Sequence, residues 1–284
     1  MRANVKYLAI YRHKKNYPIS TMCKFFEVSR SGYYDFLKRK DTPDQDEALA
    51  RRIIECQKHS RKTYGYRRVH IWLERQGINC NPKTVLRIMN KYSLLSEIRR
   101  RKRYKQMGQQ AHRYENILNR DFHVDKPNHK WVTDISYIHT EQGVLYLSVI
   151  CDLYDNSIVA YKTGTEQTAN LVLSTIREAH AKEVVAAELQ LHSDQGFQYT
   201  SHAYHNLTQE YGITQSMSRR GNCLDNAMAE NFFSILKTEC INRQKIKDFA
   251  TANALIDEYI HFYNHERIQL NTKLTPLEKR RQSA

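Results

Sequence analysis

Three acidic residues sit where acids are costly, and those are the places to look for chemistry. Asp134 interrupts the run Trp131-Val132-Thr133-Asp134-Ile135-Ser136-Tyr137-Ile138, which otherwise suits a buried strand. An unpaired carboxylate there is expensive, so a cationic partner is expected beside it. Asp194 ends Leu189-Gln190-Leu191-His192-Ser193-Asp194, immediately before Gln195-Gly196; ligands bind at such strand ends in α/β sheets. Glu230 falls on a predicted helix, with Asn226, Phe233 and Lys237 on its face and Met228, Phe232 and Ile235 on the opposite, inner stripe. Carboxylates meeting from two strands and a helix suit Mg2+ or Mn2+, which prefer hard oxygen ligands. Two such ions about 3.5–4 Å apart activate a nucleophile and stabilise charge on an attacked phosphodiester. Any one of these acids alone reads better as a solvated or salt-bridged residue. Only the set points to catalysis.

The elements that would carry them begin near residue 128. Residues 130–140, 143–153 and 156–164 are β-rich runs separated by short turns, a predicted antiparallel meander. Helices are predicted at about 168–182, 201–211, 225–242 and 250–264, with short strands at 188–194 and 213–217. Strand-strand-strand-helix-strand-helix-strand-helix is the order of a ribonuclease H-like domain, expected over 128–284. Asp152, ending the second strand, is an acid near the expected site but is not counted as a ligand.

Ahead of this lies a different texture. Residues 1–120 hold 29 Lys and Arg against 10 Asp and Glu, whereas 121–284 hold 16 against 20. A one-sided excess of this kind suits a polyanion, nucleic acid above all. Residues 16–40 read as a helix–turn–helix with serine caps at Val28-Ser29-Arg30-Ser31-Gly32, within an expected unit over 1–42. Residues 48–97 form a second helical unit, in which Val69, Trp72 and Leu73, and then Val85, Ile88 and Met89, are the expected inner positions. Pro82 opens its last helix, and Lys83, Arg87 and Lys91 at i, i+4, i+8 present cations along one face. Arg99, Arg100, Arg101, Lys102, Arg103 and Lys105 crowd a linker over 98–127 that no compact domain would bury.

Other classes find little support. Six scattered cysteines without a CxxC pair argue against a disulfide framework or structural zinc. His202/His205 and His261/His265 could each offer two ligands but lack a third at zinc spacing. No apolar run approaches a membrane span, no secretory signal opens the chain, and no GxxxxGK[ST] loop is present. A cytoplasmic, nucleoid-associated protein is expected.

With these residues assembled, the chain resembles the OrfB-type transposases of the IS-three group of bacterial insertion sequences, whose core is similar to retroviral integrase. The resemblance spans roughly 20–280. It rests on residues 63–78 (TYGYRRVHIWLERQGI), 131–138 (WVTDISYI), 192–201 (HSDQGFQYTS), 216–239 (SMSRRGNCLDNAMAENFFSILKTE) and 259–269 (YIHFYNHERIQ). Thirty-five residues separate Asp194 from Glu230, the spacing of that family's D, D, (35)E triad. The resemblance implies Asp134, Asp194 and Glu230 as catalytic metal ligands for two Mg2+ or Mn2+ ions, and Lys237 as a contact to terminal DNA. Arg219, Arg220 and Asn222, in the loop before the catalytic helix, are candidates to hold phosphates; Asn226 and Ser193 could support the site or merely cap and pack. Phe197 and Leu224 depart mildly from the family pattern, away from the triad.

The implied fold is α/β: a five-stranded mixed sheet with flanking helices, preceded by all-α helix–turn–helix units. The implied activity is cleavage at an element's end to free a 3′-hydroxyl, then its in-line attack on a second phosphodiester. Double-stranded DNA, at least a second copy of the chain, and an upstream-frame protein carrying a leucine zipper are the expected partners. Alternatives are a ribonuclease H-like nuclease that cuts without joining, and a catalytically idle DNA-binding regulator derived from a transposase.

Overall fold

The computed structural model describes residues 3–40, 44–97, 115–119, 121–185, 188–219 and 226–282. The chain forms two compact units, 1–54 and 55–284. The sequence reading set its helical units at 1–42 and 48–97; the division in the structure falls within helix α4 (Glu47–His59).

In the first unit, α1 (Ala3–His13), α2 (Ile19–Phe25) and α3 (Arg30–Lys40) close around Ile10, Met22, Cys23 and Tyr33. Helices α2 and α3 are the expected helix–turn–helix; α1 was not anticipated. The turn is specified locally. Ser29 Oγ accepts the Gly32 N–H at 3.0 Å, and a Cβ at Gly32 would collide with Tyr7 Oη.

The second unit opens with α5 (Tyr66–Arg75) and α6 (Pro82–Lys91). Asn81 caps α6 by accepting the Lys83 N–H at 2.8 Å, and Pro82 occupies its first turn. Val85, Ile88 and Met89 are buried as expected; on α5 the buried set is Val69, Ile71 and Leu73, with Trp72 only partly covered.

The rest is a five-stranded mixed sheet in the order β3-β2-β1-β4-β5, from β1 (Lys130–Thr140), β2 (Gly143–Asp152), β3 (Ile158–Gly164), β4 (Gln190–Ser193) and β5 (Thr214–Met217). Strands β1, β2 and β3 are the antiparallel meander; β4 joins β1, and β5 joins β4, in parallel. Every residue of β2 from Leu147 to Asp152 is buried, so both faces of the sheet are covered there. Helices α7 (Ala169–Lys182) and α8 (His202–Glu210) contribute Val172, Ile176, Tyr204 and Leu207 to the core around Trp131, Ile150 and Leu191. Helix α9 (Ala227–Glu239) lies against β1 and β2, and α10 (Phe249–His265) against β1 and β3. The inner stripe of α9 is Ala229, Phe232, Phe233 and Leu236. Phe233 therefore belongs inside, while Met228 and Ile235 stay partly exposed, a rotation of the expected stripe. A last helix, α11 (Pro276–Arg281), follows a capping box between Thr275 and Glu278.

The helical part of this unit is fastened to the sheet's C-terminal flank. Tyr64 Oη accepts the Ile268 N–H at 2.9 Å and donates to the Glu266 carbonyl at 3.2 Å. Arg68 Nε donates to the Ile268 carbonyl at 3.0 Å. Arg75 grips both carboxylate oxygens of Glu278, at 2.8 and 3.2 Å, and the Lys273 carbonyl at 2.6 Å.

Candidate active site

Strand register brings the two aspartates together. Lys130, Trp131 and Val132 of β1 pair with Gln190, Leu191 and His192 of the parallel β4. Continued by two residues, that constant offset sets Asp194 level with Asp134. The side chains then leave the same side of adjacent strands, which lie about 4.8 Å apart. Ladder pairing of β1 with β4 stops at Val132, whereas β1 stays paired with β2 through Thr140. Asp134 thus lies just past the point where the parallel pair parts.

The loop after β4 is shaped around Asp194. Its Oδ1 accepts the Gly196 N–H at 2.9 Å, and a Cβ on Gly196 would fall 3.0 Å from that oxygen and 2.8 Å from Gln198 Oε1. A side chain there would push Gln198 aside and crowd the Asp194 carboxylate. Underneath, the fully buried His192 ring bridges Ser216 Oγ at 2.8 Å and Ser218 Oγ at 3.0 Å, tying β4 to β5.

Asn226 delivers the third acid. Its Nδ2 donates to the Thr133 carbonyl at 3.3 Å, pinning the start of α9 to β1 one residue from Asp134. The Asn226 side chain makes no cap hydrogen bond, so of the two roles open to it, the tie to β1 is the one observed. Glu230 lies one turn along and is exposed; Lys237 lies two turns further, its Nζ 4.5 Å from the centroid of the Tyr137 ring.

Electrostatics records their proximity. Burial, then the Asp194 charge and, more weakly, Glu230, push the Asp134 carboxyl up to about 8, against a hydrogen bond from the Ile135 N–H and the charge of Lys237. Burial also raises Asp194, opposed by the Gly196 N–H. Glu230 is raised by partial burial and by Asp194. Lys237 is lowered by burial and partly restored by Asp134. Among the described residues Asp134 forms no ion pair of the kind expected: Lys237 acts on it through space, and the carboxyl is raised. Among the described residues, no three His, Cys, Asp or Glu side chains are gathered tightly enough to cage an ion unaided. The acids share a field without forming a closed cage. Their chemistry nonetheless fits a hard divalent cation: oxygen donors alone, mutually repelling, and with no salt-bridge partner among the described residues.

Lys83, Arg87 and Lys91 lie exposed on α6, and Arg219 is exposed just beyond β5. Arg220, Asn222, and Arg99, Arg100, Arg101, Lys102 and Arg103 fall outside the described residues. Asp152 is wholly buried, held by Arg280 Nη2 and the Asn128 N–H, both at 2.7 Å. It is a structural acid. Tyr137 carries no signal in the sequence alone; Gly196, two residues after the strand-ending acid, is legible there only as a turn.

Known proteins resemble the chain over most of its length. The integrase core domain family matches residues 124–223 and again 230–283, and an HTH-like domain family matches 44–102. The InsK protein of insertion sequence element IS150 from Escherichia coli K12 is 38% identical over 268 residues, covering 94% of this chain and 95% of its own length. A transposase-like protein of Haemophilus influenzae is 42% identical over 210 residues, covering 74% and 97%. Transposase InsF of insertion sequence IS3A from E. coli K12 is 30% identical over 271 residues, covering 93% of each. Among solved structures, the HTLV-2 integrase catalytic core domain is similar over 55% of this chain and 97% of that one, with 16% identity and a TM-score of 0.43. The chain belongs to the IS3 family of insertion-sequence transposases with an integrase core.

Proposed function

We propose that the chain is a metal-dependent DNA strand transferase in which Asp134, Asp194 and Glu230 hold the ions and the reacting phosphodiester is bound over them. The single observation that carries this reading is that register and helix position bring together three acids, from β1, the end of β4 and α9, with no salt bridge to any of them among the described residues. All three carboxyls are raised, Asp134 by burial, Asp194 and Glu230, Asp194 by burial, and Glu230 by burial and Asp194. When bound, two Mg2+ or Mn2+ ions would activate the attacking oxygen and stabilise the leaving one. Asp134 and Asp194 supply level oxygens from adjacent strands, and Glu230 completes the set from the helix that Asn226 anchors. Lys237, half-buried and in the field of Asp134, meets the phosphate charge of the terminal strand. Lys83, Arg87 and Lys91 line a face that meets the duplex backbone farther out. Arg219, Arg220, Asn222 and the Arg99–Lys105 run add phosphate contacts. Joining two DNA ends requires at least two copies of the chain, with the upstream-frame protein as a further partner, acting at the nucleoid. Among the described residues no helix is long and apolar enough to cross a membrane.

A regulator working by occupancy gains nothing from three repelling acids beside a strand end. Labelled element ends incubated with Mg2+ should give both nicks and joined products, and a pre-cleaved end with a free 3′-hydroxyl should join directly. Nicks without joining would indicate a nuclease. Glu230→Gln should abolish both products while end binding persists; cleavage at the wild-type rate would sink the assignment.

A further inference from the structure

Lys237 is not extended into solvent; it rests on an aromatic ring that the reading above leaves unused. Tyr137 is 55% exposed in the stretch of β1 that, among the described residues, pairs with β2 alone. Lys237 Nζ stands 4.5 Å from the Tyr137 ring centroid, and the His139 ring meets it edge-on at 5.3 Å and 65°. The register partner of Tyr137 across the ladder is Tyr146, but those two rings do not stack. A lone exposed tyrosine on a strand is ordinary. Here it carries the ammonium of the catalytic helix on its face, a placement the ring quadrupole favours. Tyr137 alternates to the other side of β1 from Asp134, and Lys237 links the two, touching the ring while lying in the field of the carboxyl. Three residues of strand separate them by about 10 Å, some three nucleotide rises along one DNA strand.

We propose that Tyr137, flanked by His139, is a stacking platform for an unpaired nucleobase within about three nucleotides of the scissile phosphate, with Lys237 on that nucleotide's backbone. The proposal rests on the strand-transferase reading and deepens it. Unstacking a terminal nucleotide costs a few kcal/mol. An aromatic face returns part of that cost without regard to base identity, and the Lys237 ammonium, lying over one face of the ring, is placed to meet the backbone of a base stacked on the other. The ligand class is therefore the frayed end of a DNA duplex rather than its groove.

The test places 2-aminopurine at each of the first four positions from the end of a labelled element duplex. Fluorescence is read with the full chain at saturating concentration, and affinity is measured by anisotropy. The wild-type chain should quench the probe at one of those positions. Tyr137→Phe and Tyr137→Trp should keep the quenching. Tyr137→Ala and Tyr137→Leu should lose it and bind on the order of ten-fold more weakly, with unchanged thermal unfolding. Lys237→Gln should keep the quenching but reduce the salt dependence of binding by about one phosphate contact. Quenching that survives in Tyr137→Ala or Tyr137→Leu, or that is absent from the wild-type chain at all four positions, would overturn the platform. Neither result touches the metal site, whose failure would appear separately as cleavage by Glu230→Gln.

Discussion

Helix α9 carries two glutamates that the fold treats in opposite ways. Glu239, at its C-terminal end, is 5% exposed and fully compensated. Arg267 holds both its oxygens at 2.7 and 2.9 Å, Tyr259 Oη donates at 2.8 Å, and Arg68 stands 3.9 Å away. Burial pushes its carboxyl up, but the Arg267 hydrogen bonds and charge outweigh that and hold it below the usual range. Glu230, at the other end, faces Asp134 and Asp194, and all three rise. The contrast separates a structural acid from a reserved one. Where burial is answered by an arginine, the charge stiffens the fold; Asp134, Asp194 and Glu230 have no salt bridge among the described residues, an arrangement that suits the binding of a cation.

That contrast can be broken from either side. The largest effect should come from the uncompensated side: Asp134→Asn is expected to lower cleavage and joining by about 10^3-fold or more. In the metal-free chain it should also raise the melting temperature at pH 8, because it removes a repelling charge. A lower melting temperature there would argue that Asp134 is a structural group. On the compensated side, Arg267→Met strands Glu239 and should cost ~3–5 kcal/mol in denaturant unfolding. Adding Glu239→Leu should recover much of that loss.

The next effect is linked to pH. With a folded value of about 8 against 3.8 for an ordinary aspartate, folded Asp134 keeps a proton that the unfolded chain has released. Metal-free stability should therefore fall as pH rises from about 4 toward 8. Divalent cations displace that proton, so the increment in melting temperature with Mg2+ or Mn2+ should grow over the same window. The corresponding stabilisation free energy should be about 2.7 kcal/mol when the ion is a hundred-fold above its Kd, and calorimetry at pH 6 and 8.5 checks it. A pH-independent increment would place the ion elsewhere. Smallest of all, Arg75→Ala breaks a half-exposed pair and should cost about 1 kcal/mol or less, measured by thermal unfolding, with hydrogen exchange increasing around 266–278.

Asp134 stands out in the sequence within a strand pattern and Asp194 closing one; Glu230, on a helix that also carries Lys237 and Glu239, stands out only by its spacing from Asp194. The five strands were equally visible from β-branched runs and turns. The rotation of α9 was not, because Met228-Phe232-Ile235 and Ala229-Phe232-Phe233-Leu236 both satisfy helical spacing and only the partner surface chooses between them. Helix α11 carried a readable signature in Thr275-Pro276-Leu277-Glu278 that was passed over. The contacts of Arg68 and Arg75 join residues about 200 positions apart in the chain and leave no periodic trace. The salt bridge expected for Asp134 is not found among the described residues, where the half-buried carboxylate has only the Ile135 N–H and the Lys237 charge in its favour.

Because Tyr64, Arg68 and Arg75 bolt α5 to the segment that follows α10, the α5–α6 pair is no swinging arm but a fixed jaw on the same body as the catalytic sheet. A duplex clamped along α6 would present its cleavable bond at one angular phase. Sliding the clamped sequence by about five base pairs, half a helical turn, would carry that bond to the far side of the double helix, out of reach of Asp134.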